Sequence, residues 1–584
     1  MQFAEDREFE LERLALRAKP NARLFLEWAR AREVRIIAVS DMYLGKRHLR
    51  RLLDELGYRG LIDRIYVSSE YRAGKYSGRL FGHVLEQEGL QPEEILHVGD
   101  NFLSDALAPC RLGMTGVFLD ERHERRRRRR QQTSAALSVL GGVWPGRMLT
   151  EVLAERLYLD DRAKREDFHF QYGLEVLGPI FSTFILGLVE RVRRDRPDKV
   201  FFLARDGALF MRMYEEAGKR LGEGGGETLP PACYAYASRR VVAGAAVASG
   251  LDHAKAVVGL YNPKQHGLES ILKTYGLNPD DFSEPAGRHG FTHIAERLDD
   301  WHDPRLLAFL GDPAVQERIR AAGEEARALL RDYFAGLGFF GARRVALVDI
   351  GWNATIQRFL EDSFAADEAY PHVDGYYFAF MNGIHQAPLA HGSIEGLMLD
   401  VRRAEPQERA PCDFEELFEQ GARALHATTV GYRRSAGGVE PVLKDDSAPD
   451  RQAEIRCNPQ IEALQQGVML CLEHYLAAHR LTGFGFDAVR PYALALAERA
   501  VVYPTRAEVA GISKLAHSED FGHDHLLDLS AGDVGWKDFL RPGLLARKLA
   551  LLPWRYAPFA RFRTPLASAA ARTIHLLQLK RRAG

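Results

Sequence analysis

"ILHVGDNFLSDAL", Ile95–Leu107, decides how this chain of 584 residues is read. A short apolar run ends at Gly99-Asp100, and a second acid, Asp105, follows five residues after Asp100. An apolar run closed by a glycine and an acid has the form of the carboxyl end of a buried parallel strand, where ligands bind in open α/β sheets. Two hard carboxylates there suit Mg²⁺, which keeps waters and takes one or two protein acids plus substrate phosphate. A plain turn is the competing reading of Gly-Asp.

The flanks support the strand. "VRIIAVS" (34–40) is β-branched and apolar, and a helical pattern, "KRHLRRLLDELG", follows it up to Gly57. "RIYVSS" (64–69) reads as a second strand and "SGRLFGHVLEQEGL" as a helix. After Asp105 come a helix, "SDALAPCRLG", and a strand, "TGVFLD" (115–120). Strands alternating with helices of this length predict βαβ units and a parallel sheet.

Three polar elements then fall on successive strand ends. Ser40 closes the first strand, where a hydroxyl can hold a phosphate oxygen or merely cap a helix. Lys75, in "YRAGKYSGRLF", can neutralise a phosphoryl group or stand solvated. Asp100 and Asp105 supply the metal side, with Asn101 beside them as a further ligand-binding candidate. In this order the set "VSDMYL … YVSSEYRAGKYSGRLF … ILHVGDNFLSDALAPCRLGM" resembles the haloacid dehalogenase-like (HAD) superfamily of phosphohydrolases over residues 34–120. It is most similar to a subgroup of long bacterial HAD-type hydrolases often encoded beside glycosyltransferase and surface-polysaccharide genes. The resemblance implies Mg²⁺-dependent phosphoryl transfer: an aspartate attacks phosphorus, a second aspartate two residues later is the acid and base, and Ser40 and Lys75 orient the phosphoryl group. Mg²⁺, held partly by Asp100 and Asp105, offsets the charge.

The two leading aspartates of that mechanism belong to a DxD strand upstream of Ser40, and none precedes Ser40 here; Asp6 lies in a charged helical stretch. In the HAD fold the nucleophile strand lies between the strands ending at Ser40 and at Asp100. Its loss would leave backbone donors and acceptors unpaired on two apolar strands. A truncated or late-started chain is therefore the preferred expectation. A non-catalytic descendant whose gap is filled by another segment is the alternative. Completion by a later turn, as in a permuted domain, is a third.

Two later stretches imitate the missing motif. "FFLARDGALF" (201–210) has Ala204 where the nucleophile would stand and keeps Asp206; "ALVDIGWNATI" (346–356) keeps Asp349 but has Gly351 for the second acid. The subgroup carries similar stretches, along with "FQYGLEVLGP", "YASRR" and "KLAHSEDFG". Each turn ends an apolar strand before a helix, whose N-terminus favours an anion. Arg205, Arg239 and Arg240 could grip phosphate; Asp206 and Asp349 could hold a metal or a ribose hydroxyl; Gly207 and Gly351 let a ligand approach the backbone. A phosphorylated sugar or nucleotide sugar would suit them. The alternative is that these arginines and acids pair to tie turns together. A phosphoribosyltransferase-like fold lacks its usual adjacent acids at "VDIGW".

Composition bounds the rest. Net charge is -1, so no global field steers the chain to nucleic acid, and no nucleic-acid partner is expected. The five cysteines are scattered without a CxxC pair, which fits a reducing cytoplasm better than a disulfide framework. "LGPIFSTFILGLVERV" (177–192) comes nearest to a membrane span, but Glu175 and Glu190 bracket it, so a buried core helix is expected. "ERHERRRRRRQQTS" (121–134) reads as a solvated linker. "HSEDFGHDH" has metal-ligand residue types, His517, Glu519, Asp520 and His523, at no standard zinc spacing, and a polar loop is preferred. The basic, aromatic tail from Leu544 could lie on the inner membrane surface through Trp554, Tyr556, Phe559 and Phe562, or pack on the protein's own core.

The expectation is thus α/β: a HAD-like, Rossmannoid parallel sheet without its first strand (1–120), an Arg-rich linker (121–149), a second α/β domain (150–400) and a mainly helical part (401–584). The implied function is a HAD-like phosphatase with Mg²⁺, acting on a phosphorylated small molecule or sugar near glycosyltransferases. A non-catalytic scaffold that binds a phospho-ligand or nucleotide sugar is the alternative.

Overall fold

The computed structural model describes residues 8–10, 12–13, 16, 18–19, 21–121, 125, 146–222, 228–259, 266–381, 388–519, 525–527, 529, 532, 534–562 and 565–583. Nearly all of the arginine run, and Asp6, Asp520 and His523, lie outside them. The chain forms two compact units, Met1–Arg126 and Arg127–Gly584. The expected division at 400/401 is not a unit boundary.

The first unit contains four short strands, β1 (Ile37–Ser40), β2 (Arg64–Val67), β3 (Leu96–Gly99) and β4 (Thr115–Phe118). β1 pairs in parallel with β2, and β3 with β4, as two separate two-stranded sheets. Among the described residues nothing pairs β1 with β3. The helix Arg79–Glu88 serves both pieces. It buries Leu80, Phe81 and Val84 on one stripe, which is the helical period at work. Val39 of β1 and Ile95 just before β3 both pack against the cluster around Phe81. Gly89, with φ 67°, ends the helix in the left-handed conformation that glycine adopts without penalty.

The second unit is built on a five-stranded parallel sheet: β5 (Lys199–Leu203), β6 (Ala232–Ala235), β7 (Arg344–Trp352), β8 (His372–Phe380) and β9 (Gly392–Asp400), in the order β6-β5-β7-β8-β9. Alternate residues serve two cores, because side chains of a strand point to opposite faces. Val200, Phe202, Ala346 and Val348 pack into one core, while Phe201, Leu203, Val345 and Leu347 pack into the other. The first core is covered by the helices Gly178–Asp195, Gly207–Gly222, Pro449–Thr482 and Phe486–Val502; the second by Arg239–Ala246, Pro313–Gly336 and Thr355–Phe364. The sheet is therefore buried on both faces, and its strands read as continuous apolar runs for that reason.

Gly178–Asp195 is apolar on every side and buried from Gly178 to Val189, as a core helix must be. It falls within the helical stretch Phe168–Asp195, which is long and apolar enough to cross a membrane, but that stretch's most apolar window is 94% buried inside the protein. None of the five cysteines is in a disulfide.

Several readings need correction. The part expected to be mainly helical, 401–584, also holds an antiparallel hairpin, β10 (Thr429–Ser435) with β11 (Gly438–Leu443), after the helix Glu416–Ala422. The "HSEDFGHDH" segment contains a short antiparallel ribbon, β12 (His517–Glu519) with β13 (His525–Leu527), rather than a loop throughout. The tail aromatics face inward. Trp554 and Tyr556 are fully buried, and Phe559 is nearly so. Trp554 stacks on Phe414 at 4.5 Å and its Nε1 donates to the Val501 carbonyl at 2.8 Å. Trp554 and Tyr556 belong to the first core of the second unit, and Phe559 to a smaller cluster with Leu545 and Leu549.

Candidate functional site

In the first unit the polar candidates gather at the carboxyl ends of β1 and β3. Ser40 is the last residue of β1. Asp41 Oδ1 accepts the Lys75 backbone N–H at 2.9 Å and so fixes the loop that presents Lys75. Lys75 Nζ donates to Asp105 Oδ1 at 2.6 Å. His97 Nε2, on β3, lies 3.1 Å from the same oxygen, and the Asn101 N–H donates to the other at 3.0 Å. The Asp105 side chain is only 4% exposed. Burial opposes its charge, but the hydrogen bonds from His97, Lys75 and Asn101 outweigh burial and hold the carboxyl well below its ordinary value. The turn needs Gly99: a Cβ there would sit 2.4 Å from the Asp105 carboxyl carbon.

Asp105 is therefore the anchor of Lys75, with both oxygens engaged, rather than a second open metal ligand. Asn101 is a cap: its Oδ1 accepts from the N–H groups of Leu103 and Ser104, both at 3.1 Å. Asp100 is the more exposed acid. Its side chain is 43% exposed, and its Oδ2 accepts from Lys19 Nζ at 2.7 Å. A cation already stands against this carboxylate. Mg²⁺ needs one or two protein carboxylates and completes its shell with water and phosphate, and Asp100 fits as one of them. Among the described residues no group of three or more His, Cys, Asp or Glu side chains could cage a metal. His97 was not singled out from the sequence; its position two residues before Gly99, on the same strand face, is the signal.

In the second unit, six residues singled out from the sequence meet. Arg205, Asp206, Arg239, Arg240, Asp349 and Gly351 line one cavity of about 230 Å³ at the carboxyl ends of the parallel sheet. Gly207 does not line it. Gly207 starts a helix, and a Cβ there would lie 2.8 Å from the Phe202 carbonyl carbon, so it serves close packing. The cavity also takes Trp352, Asn353, Thr355, Glu415, Glu419 and Arg423. The glutamates escaped the sequence reading because "DFEELFEQGA" reads only as an acidic helix, with nothing to place it over the sheet.

The charges sort themselves by depth. Arg205 Nη1 donates to both oxygens of Glu454, at 2.9 and 2.8 Å, and Glu454 is 1% exposed. Arg451 Nη1 donates to the same carboxylate at 3.0 Å. Arg205 thus ties the turn to the helix Pro449–Thr482, which is the structural alternative rather than the phosphate grip. Arg423 is likewise engaged by Gln420, Asn458 and the Glu454 carbonyl. Among the described residues Asp206 and Asp349 form no such ion pair; the Asp349 carboxylate accepts the adjacent Ile350 N–H at 2.8 Å. Burial pushes Asp349 up to about 7, with Glu419 adding to it and the Ile350 N–H and Arg239 opposing. Burial, Glu419 and Asp349 together raise Asp206 well above its ordinary value, against Arg205 and Arg239. Glu419 Oε1 accepts from Trp352 Nε1 at 2.8 Å, which fixes it at the cavity wall.

No curated protein matches the chain. Residues 2–112 match the family model of a haloacid dehalogenase-like hydrolase. That match spans Ser40, the Lys75–Asp105 pair and Asp100, so the first unit carries a HAD-like hydrolase domain.

Proposed function

We propose that the first unit is a phosphoryl-transfer module acting with Mg²⁺ on a phosphorylated small molecule or sugar. The observation that supports this most is the break in its sheet. β1 and β3 each pair on one side only among the described residues, and their carboxyl ends carry Ser40 and Asp100. Phe81 packs beneath both pieces. A single parallel strand inserted there would satisfy the open backbone groups of both. Its carboxyl end would bring an aspartate to the phosphoryl group. The carboxylate would attack phosphorus, the alcohol would leave, and water would release phosphate from the aspartyl-phosphate. Lys75, aimed by Asp105, and the Ser40 hydroxyl would hold the phosphoryl oxygens. Mg²⁺, when bound at Asp100, would offset phosphoryl charge.

The Lys19–Asp100 pair favours a second reading, in which a phosphorylated ligand is held without turnover. The wider setting, cell-surface polysaccharide assembly beside glycosyltransferases at the cytoplasmic side of the inner membrane, is proposed from the sequence resemblance. The deciding experiment is a phosphatase assay on the protein purified from its own cells. Mg²⁺-dependent release of phosphate from sugar phosphates is expected, falling at least about 100-fold in Asp100→Asn, as loss of one stabilising charge in a site costs. Equal rates in wild type and Asp100→Asn would reject the site. Phosphate binding without release in either protein would select the second reading.

A further inference from the structure

The cavity of the second unit is not used by the first unit's chemistry, and four observations give it a ligand. The first is its place. β5 leads to β6 on one side, and the chain then returns to β7 on the other side of β5. The crevice between the ends of β5 and β7 is thus the topological switch point of the sheet, where open α/β sheets bind ligands. Asp206 follows β5, and Asp349 lies in the carboxyl-terminal half of β7.

The second is charge. Arg205 and Arg423 are withdrawn to partners behind the wall. Arg239 and Arg240 line the cavity together with Asp206, Asp349 and Glu419. Asp206 and Asp349 bring two carboxylates into that one cavity, where a bound cation would pair with both.

The third is a set of anion-binding groups at the same cavity. The Nε of Arg240 is buried without a partner. The helix Thr355–Phe364 opens at the cavity, and its N-cap residue, Ala354, makes no side-chain cap. Gly351, Trp352 and Ala354 all have positive φ, 102°, 68° and 53°, so the backbone before that helix curls into a concave turn. N–H groups in such a turn, at a helix N-terminus, attract phosphate.

The fourth is the ligand count. No three acids cage a metal among the described residues. Mg²⁺-type ions accept one or two carboxylates when phosphate oxygens and water complete the shell. The volume of about 230 Å³ suits a sugar phosphate or a diphosphate head group rather than a whole dinucleotide.

We infer that this cavity binds a phosphorylated ligand as its divalent-cation complex. Asp206 and Asp349 face the cation; Arg240, Arg239 and the start of the helix Thr355–Phe364 face the phosphate.

The test uses the full chain with Asp100→Asn in place, so that the first unit's acid is silent. Mn²⁺ binding is read by electron paramagnetic resonance and inorganic pyrophosphate binding by calorimetry. Each probe is expected to tighten the other at least 10-fold, because coupling between two ligands is reciprocal. Adding Asp349→Asn should abolish the Mn²⁺ effect, and Arg240→Gln should weaken pyrophosphate about 10-fold, the loss of one charge-assisted contact. Asp206→Asn is the second acid variant; both asparagines keep the shape and remove a buried charge, and a melting curve verifies their fold. Absence of coupling in the Asp100→Asn protein would overturn the proposal. So would coupling that survives Asp206→Asn, Asp349→Asn and Arg240→Gln, or pyrophosphate binding that is indifferent to Mn²⁺.

Discussion

Gly351 is where β7 turns toward the cavity, and no other residue fits. Its φ is 102°, and a Cβ would lie 2.4 Å from the Ala379 carbonyl oxygen and 2.8 Å from Tyr377 Cβ. The first conflict is a left-handed backbone, the second a collision with the neighbouring strand. Gly351→Ala should cost about 3 kcal/mol, the sum of a strained φ and forced overpacking, and lower the urea midpoint accordingly. A midpoint within error of wild type would show that β8 can yield. Gly351 was legible in the sequence only as a ligand-approach residue; its collision with β8 needs the strand register. Arg205 shows the same limit. Its position after a strand was plain, but its partner Glu454 lies 249 residues away. Nothing local separates a guanidinium that grips phosphate from one that ties a turn.

At the scale of elements, sequence showed the strands that end in chemistry and hid those that do not. β5 and β7 are buried on both faces, so their apolar runs stand out. β6, "ACYA", is four residues long and has no periodicity to read. β9, "GSIEGLMLD", carries two glycines and a glutamate at the sheet edge, which depress strand propensity. The helix Pro449–Thr482 runs through Pro459, a residue that marks a break in sequence but is tolerated here by packing against the core. That helix is clamped to the one before it in the core by a single acid. Asp160 ends the helix Arg147–Leu159, accepts from Arg162 at 2.7 Å, and lies 2.8 Å from His474 Nε2; Arg162 also reaches Glu473. Burial opposes the Asp160 charge, but hydrogen bonds from Arg162 and His474 prevail and lower its pKa below the ordinary 3.8. A carboxyl with a lowered folded pKa stabilises above its unfolded pKa and loses that contribution as pH falls through the folded value. Asp160→Asn should therefore destabilise by about 1–3 kcal/mol at neutral pH. The difference should shrink when unfolding is measured below about pH 4, the ordinary aspartate range. A gap that is the same at pH 7 and pH 3 would dissociate the clamp from ionisation.

The whole molecule carries its two units on different foundations. The first has small clusters, such as Ile36, Tyr58, Ile62, Ile65 and Val67, under a sheet split into two pairs. Two-stranded pieces leave half their backbone groups outside a ladder and are marginal without further packing. The second has a sheet of five strands sealed between two extensive cores. Burial of apolar surface is the main stabilising term, so the two should differ in melting temperature. Calorimetry of the full chain is expected to show two transitions, the first unit melting at the lower temperature. Val67→Ala, at a fully buried position of β2, should lower that transition alone by roughly 4–8 °C, the shift that 1 kcal/mol or more produces in a domain of this size. Gly351→Ala should lower the upper transition alone. The two variants report on the two units separately, so a single transition moved by both would mean that the units unfold as one. If only the lower transition rises on adding Mg²⁺ with phosphate, the ligand is held by the first unit. If only the upper one rises, it is held at the switch point of the second, because a ligand stabilises the fold that binds it.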